Sequence, residues 1–312
     1  MRRDVQWERM FPDELERRFG ECPVVYFPQG MCEPHGPQCA IGLDALKAHA
    51  ICCEAAGAHG GIVAPADYWH IHEVGGYATF GHEWVGEVER KWMTSLPPWM
   101  HLKNVCYHVR AAEAIGFKAA IFLTGHYGPN WKDLKTMLAL IQPHVGTRLC
   151  GLPDFEANTP GFDGDGRSGG DHAGKVETSL LWATMPECVD VSRIPEGRDP
   201  QPRWAMGPDA HLADRRTGRR MIDDEVRFLG EKAAELLAEY DRLAPEHTLR
   251  TFGEVERLWA EVVRPALKDF ETMQQDWPGR EPPPRNSLWY ANSRLPTPAA
   301  GMTNDETRMT NQ

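Results

Sequence analysis

Glu33, His35 and Asp44 lie within one short stretch, residues 29–44 (QGMCEPHGPQCAIGLD), and all three are metal-ligand residue types. His126 follows the apolar run Ala119-Ala120-Ile121-Phe122-Leu123, in the segment TGHYGPN. Glu177 lies in HAGKVETS. Together these five offer three carboxylates and two imidazoles. Mixed nitrogen and oxygen ligation without thiolate suits zinc first, with manganese or iron as alternatives. A carboxylate has two oxygens and can bridge two ions, so the set can hold one or two divalent metals. Paired metals activate water at neutral pH and polarise a carbonyl. With 13 His and 45 acidic residues, a lone Glu-x-His pair arises readily by chance, so placement has to decide.

Placement favours a site. Gly36, Pro37 and Gly42 forbid a regular helix between the ligands. The apolar run at 23–28 reads as a strand before them, and 45–56 reads as a helix after them, stopping at Gly57. The loop therefore leaves a strand and enters a helix, where sites form in open α/β sheets. His126 leaves the carboxyl end of another strand, so it shares that edge. Asn130 caps the helix that follows, to about residue 141.

Residues 61–65 and 144–151 read as further strands, with a helix at 104–115 capped by Asn104 and stopped by Gly116. Glu177 begins a helix to about 185, and a short strand is expected at 188–191. Long helices are expected at 219–240 and 251–273. The tail from Trp277 is too rich in proline for regular structure. Its Trp289 and Tyr290 are available to pin it to a neighbour. Residues 66–101 carry His70, His72, His82, Tyr68, Trp69, Tyr77 and Trp84 without a helical period. A loop of this length is often functional, and we expect it to shape the substrate pocket. Asp163-Gly164-Asp165-Gly166 hints at a calcium loop but lacks Gly and Glu at the required positions.

A chain of 312 residues, 41% hydrophobic, has material for a large packed core. Its net charge of −11 argues against nucleic acid and against an anionic membrane surface. No apolar run is long enough to span a bilayer. The first residues show no apolar leader segment, so we expect a cytoplasmic protein whose eight Cys are reduced thiols.

Three motifs in order carry a family resemblance. Gln29-Gly30-x-x-Glu33-Pro34-His35-Gly36-Pro37, with Gly42-x-Asp44, resembles the Glu-Gln-His-Gly-Pro-His-x-Pro-x-Gly-Thr-Asp signature of the creatininase family. Thr124-Gly125-His126-Tyr127-Gly128-Pro129-Asn130 is similar to that family's Asn-Gly-His-Gly-Gly-Asn motif. Tyr127 matches the His-Tyr pair of the family's namesake. His172-Ala173-Gly174-x-x-Glu177-Thr178-Ser179 is similar to its His-Ala-Gly-x-x-Glu-Thr-Ser segment. The resemblance spans roughly residues 20–240.

The resemblance implies a three-layer αβα sandwich with a mainly parallel sheet, assembled as a homo-oligomer, usually a hexamer. It implies a creatininase-like domain over 1–245, with 246–312 as a helical extension and Pro-rich tail packing on that domain or on a neighbouring subunit. Glu33, His35, Asp44 and His126 match metal ligands, with Asp44 in the bridging place. The family's further metal-binding Glu falls at Gly128 here, and Glu177 is the expected substitute. His172 matches the proton donor, and with Tyr127 and Glu177 completes the expected catalytic set. Members open cyclic amides, deformylate pyrimidine precursors or trim peptides, and at least one acts on a cyclic keto-polyol. Thr124 stands where Asn is usual, and the 66–101 loop and the extension after 240 are unlike creatininase. The implied activity is therefore metal-dependent hydrolysis of a small cyclic amide or related C–N bond, not creatinine in particular. The alternatives are ring opening of a keto-polyol, or a metal-binding homologue without catalysis.

Overall fold

A computed structural model of the chain describes residues 3–71, 92–96, 98–127, 130–158, 172–196 and 204–270. Expectations for His72, Tyr77, His82, Trp84, Gly128, the cap side chain of Asn130, Asp163-Gly164-Asp165-Gly166 and the tail from Trp277 lie outside the described residues.

After α1 (Pro12–Glu21), the core is a four-stranded parallel sheet of β1 (Val24–Gln29), β2 (Ile62–Val63), β5 (Ala119–Thr124) and β6 (Arg148–Pro153), in the order β2-β1-β5-β6. A separate parallel pair, β3 (His70–Ile71) and β4 (Ser95–Leu96), stands apart from it. β1 and β5 are apolar at almost every position because both faces of the sheet are covered. Val24, Tyr26, Ala119, Ile121 and Leu123 face helices α2 (Leu43–His59), α5 (Lys175–Thr184) and α6 (Arg215–Leu243). Val25, Phe27, Ala120 and Phe122 face α3 (Pro98–Ile115) and α4 (Asn130–Ile141). The period-two alternation thus divides into two cores, giving the three αβα layers. Residues 246–270 join the second core through Leu249, Val255, Leu258, Trp259, Val263 and Phe270. They include α7 (Phe252–Leu258), which opens on a capping box between Thr251 and Glu254 and continues into a π-helical turn, Trp259–Val263. No helix among the described residues is long and apolar enough to cross a membrane.

Several boundaries differ from the sequence expectations. α2 begins at Leu43, so Asp44 sits in a helical first turn rather than on the loop. The helix passes through Gly57 and stops at Gly60, whose φ of 92° is the left-handed backbone that glycine favours. α3 starts at Pro98, so Asn104 is not its cap; proline suits a first helical turn, where its missing N–H is no loss. Residues 142–144 form a 3-10 turn and β6 starts only at Arg148, opposite Ala119 of β5. In place of a strand at 188–191 there are 3-10 turns at Pro186–Cys188 and Val191–Arg193, with a single bridge between Val189 and Cys39.

β1 leads through α2 to β2 on one side of it, and the chain then returns to place β5 on its other side. The strand order therefore reverses between β1 and β5, and a crevice opens beyond their carboxyl ends at such a switch point. Gln29 and Thr124 are register partners, so the segments leaving the two strands start level. Gly30 and Gly125 follow, and both lie against the first turn of α2. A Cβ on Gly30 would stand 2.3 Å from the Ala45 nitrogen, and one on Gly125 2.1 Å from the Asp44 carbonyl oxygen. These contacts set the depth at which Asp44 is held. Gly125→Ala is expected to destabilise the fold by at least about 1–3 kcal/mol, because backbone has to move to admit the methyl group. A melting temperature equal to that of the unmodified chain would refute this close approach.

Candidate metal centre

Glu33 and His35 hang from the segment leaving β1, which is tied down on both sides. The Glu33 N–H donates to the Ile41 carbonyl at 2.9 Å and the Gly36 N–H to the Trp204 carbonyl at 2.7 Å. Gly36 has a φ of 70°, and a Cβ there would collide with the Gln38 side chain. Gln38 in turn donates to the Ala173 carbonyl at 3.0 Å and the Thr178 hydroxyl at 3.2 Å, joining this loop to the start of α5. His126 is set by Thr124, whose hydroxyl accepts from the His126 N–H at 3.2 Å and donates to its carbonyl at 2.9 Å. Glu177 lies in the first turn of α5, and its Oε2 accepts from the Ala173 N–H at 2.7 Å.

The five expected ligands converge. All are buried, with Asp44 at 0% exposure and His126, the most accessible, at 7%. His126 Nδ1 stands 2.9 Å from Glu33 Oε1 and 3.1 Å from Asp44 Oδ2. His35 Nε2 stands 3.1 Å from Asp44 Oδ1, 3.6 Å from Glu177 Oε2 and 3.8 Å from Glu33 Oε1. The donors fall into overlapping triads, Glu33–Asp44–His126 and His35–Asp44–Glu177, with Asp44 common to both. Each Asp44 oxygen faces a different imidazole, so this one carboxylate borders both triads.

The tautomer of His35 tests the fit to a cation. Its Nδ1 lies 2.9 Å from the Glu33 carbonyl, which can only accept, so Nδ1 carries the proton. Nε2 then faces carboxylate oxygens, 3.1 Å from Asp44 Oδ1, without a well-aligned hydrogen bond between the two. An acceptor among anions needs a proton or a metal between them. The titration behaviour follows the same logic. Burial alone would lower the pKa of His35, but Asp44, Glu177 and Glu33 outweigh it and raise it to about 9. His126 is raised well above its ordinary value, as Glu33 and Asp44 overcome its burial. Burial alone would raise Glu33, yet the charge on His126 brings it down to about 2. Asp44 is held well below the carboxylate range against its burial, chiefly by His35. The pocket is built to hold positive charge, and a divalent metal is the cation that releases those imidazole protons.

His172 is beside this cluster. Its ring stacks on His35 at 4.7 Å between centroids, and it can form a third donor group with Glu33 and His35. Its Nε2 donates to the Pro34 carbonyl at 3.0 Å. Tyr127 lies one shell further out. Its hydroxyl donates to Asp154 Oδ1 at 2.6 Å and accepts from Lys47 Nζ at 2.7 Å.

Lys47, Asp154 and His101 are neighbours that the sequence reading did not single out, and His70, expected to help shape the substrate pocket, joins them. Lys47 is fully buried, with Nζ 2.9 Å from Glu177 Oε1 and 3.3 Å from Asp154 Oδ2. Burial would lower its pKa, but the carboxylates of Asp154, Glu177 and Asp44 lift it above the ordinary lysine value. Burial raises Asp154 to about 6 despite Lys47. His70 sits 4.0 Å from His101 and 5.4 Å from His126, centroid to centroid. Burial lowers the pKa of both His70 and His101, the latter to about 3, so they are neutral imidazoles beside a charged pair. Two sequence signals pointed this way. Lys47 is one helical turn from Asp44 within an otherwise apolar run, and Asp154 follows a strand end, as Glu33 and His126 do.

A family model, creatinine amidohydrolase of the creatininase type, matches residues 8–238. Among solved structures, that of creatinine amidohydrolase (creatininase) is similar with a TM-score of 0.61 and 21% identity, covering 74% of this chain and 97% of the other. A mutant creatininase of Zn-Zn type and a structure described as "Creatininase Mn" each give a TM-score of 0.59 at 22% identity. Each comparison covers 74% of this chain, and 97% and 98% of the respective partner. No curated protein matches. Likeness at such identity speaks for the fold, and the family model speaks for descent. Over the stretch that contains every donor of this cluster, the chain belongs to the creatininase family.

Proposed function

We propose that this chain is a divalent-metal-dependent hydrolase that opens a small cyclic amide. The observation that carries this reading is His35 Nε2 facing the carboxylates of Asp44, Glu177 and Glu33, in a buried cluster whose two triads share Asp44. Glu33, Asp44 and His126 would hold one ion, and His35, Asp44 and Glu177 a second. Zinc or manganese held there would polarise the substrate carbonyl and ease loss of a proton from the attacking water. The zinc and manganese forms of creatininase support that choice of ion.

The remaining steps belong to the chain itself. The Glu33 carbonyl fixes the His35 ring through Nδ1, and the Ala173 N–H fixes Glu177, so the donors are oriented before substrate arrives. His172, on the flank of His35, would deliver the proton that the leaving nitrogen needs when the ring opens. With Nε2–H committed to Pro34, Nδ1 is the nitrogen left to exchange that proton. His70 and His101 close the side of the pocket next to His126 with uncharged rings. The assembly we propose is a homo-oligomer.

The test is a panel of five- and six-membered cyclic amides, lactams and cyclic ketones, with creatinine included, assayed with purified chain. Stripping with a chelator should abolish turnover, and zinc or manganese should restore it. Turnover undiminished in metal-free protein would overturn the proposal. Cleavage of a cyclic ketone but no amide would move the chemistry to a C–C bond.

A further inference from the structure

Lys47 places a positive charge in direct contact with one half of the cluster, at Glu177. It stands on α2 three residues after Asp44, so a rigid helix carries both the shared carboxylate and the ammonium. The side chain is fully buried, and neither water nor salt screens it as they would at the surface. Its Nζ lies 2.9 Å from Glu177 Oε1, while Glu177 Oε2 already accepts from the Ala173 N–H at 2.7 Å. Both oxygens of Glu177 therefore serve strong donors before any metal arrives. Asp154 Oδ2, 3.3 Å from Nζ, and the Tyr127 hydroxyl, 2.7 Å from it, keep the ammonium in place.

The other triad is different. Glu33 faces the imidazoles of His126 at 2.9 Å and His35 at 3.8 Å, groups whose ring nitrogens are themselves ligand atoms. The Lys47 ammonium, held between Glu177 and Asp154, offers no ligand atom to a metal. It stays, repels an incoming cation and draws charge from the Glu177 oxygens.

We propose that Lys47 is a positioning residue that makes the two halves of the centre unequal. One ion is bound tightly by Glu33, Asp44 and His126, and a second is bound at least about tenfold more weakly by His35, Asp44 and Glu177. The inference rests on the metal-centre reading and deepens it. Loss of a supporting partner one shell beyond the ligands typically costs about 10- to 100-fold in metal affinity, and a repelling one should act on the same scale. Here the change has a sign: removing the ammonium tightens the second ion.

The experiment titrates zinc into the stripped full-length chain against a chromogenic chelator, and needs no substrate. The unmodified protein should bind one equivalent tightly and the second at least about tenfold more weakly, a single bound equivalent being the limiting form of that result. In Lys47→Met the second affinity should rise by about 10- to 100-fold while the first moves little. Because that change leaves Asp154 and Glu177 without their shared cation, the double variant Lys47→Met, Asp154→Asn is measured beside it. A merely structural role for Lys47 would weaken both equivalents together, and that outcome overturns the proposal. Two equivalents of equal affinity in the unmodified chain overturn it without any variant, and leave the metal centre standing. A chain that binds no zinc at all overturns the metal-centre reading itself.

Discussion

Asp44→Ala is expected to abolish metal-dependent turnover and to cost more than the loss of any other single donor. Asp44 alone belongs to both triads. Its Oδ1 faces His35 Nε2 and its Oδ2 faces His126 Nδ1, each at 3.1 Å. Loss of Glu33 or Glu177 would damage one half, whereas loss of Asp44 removes the common anion and leaves both halves short. Lewis-acid assistance contributes several kcal/mol at the transition state, and each 1.36 kcal/mol is tenfold in rate. The fall should therefore be on the order of 10³- to 10⁴-fold or more. Metal analysis and circular dichroism on the same sample separate a lost centre from a lost fold. A folded Asp44→Ala protein with ordinary turnover would remove Asp44 from the bridging role.

His172→Ala should lower turnover by about 100- to 10,000-fold, the usual contribution of general acid catalysis, while metal content stays unchanged. The structure also gives the opposing role a concrete form. His172 Nε2 donates to the Pro34 carbonyl, so the ring could serve only as a strut for the loop that carries Glu33 and His35. His172→Asn discriminates between these roles, since its amide can still donate to that carbonyl but cannot deliver a proton near neutral pH. If His172 is the proton donor, Asn should be nearly as damaging as Ala. If it is a strut, Asn should restore most of the turnover, and the proton would have to come from elsewhere.

Much of the site was legible in the sequence because strand ends are local events. The apolar runs before Glu33 and His126 were readable as strands, and Gly36, Pro37 and Gly42 marked the loop between. Placing both at carboxyl ends needed no knowledge of the sheet. The helix boundaries were less accessible. Gly57 looked like a stop, yet α2 runs on to Gly60, where the backbone itself requires a positive φ. Asp44 consequently belongs to a helix held from below by Gly30 and Gly125, a constraint that depends on two strands packing beside it.

Residue types and their spacing along the chain were thus enough to mark the candidate donors at strand ends, since turn chemistry is local, whereas the αβα layering was implied by the family resemblance. Strand order was not in that pattern. Only the tertiary structure sets β1 beside β5, with Gln29 level with Thr124, and so brings Glu33 and His126 within 2.9 Å of each other. It also decided the role of Lys47. A lysine on a helix ordinarily faces water, because desolvating an ammonium is costly. Here α2 is pressed against the sheet where Asp154 and Glu177 arrive from 107 and 130 residues further along the chain, and their charge makes burial of that ammonium tolerable.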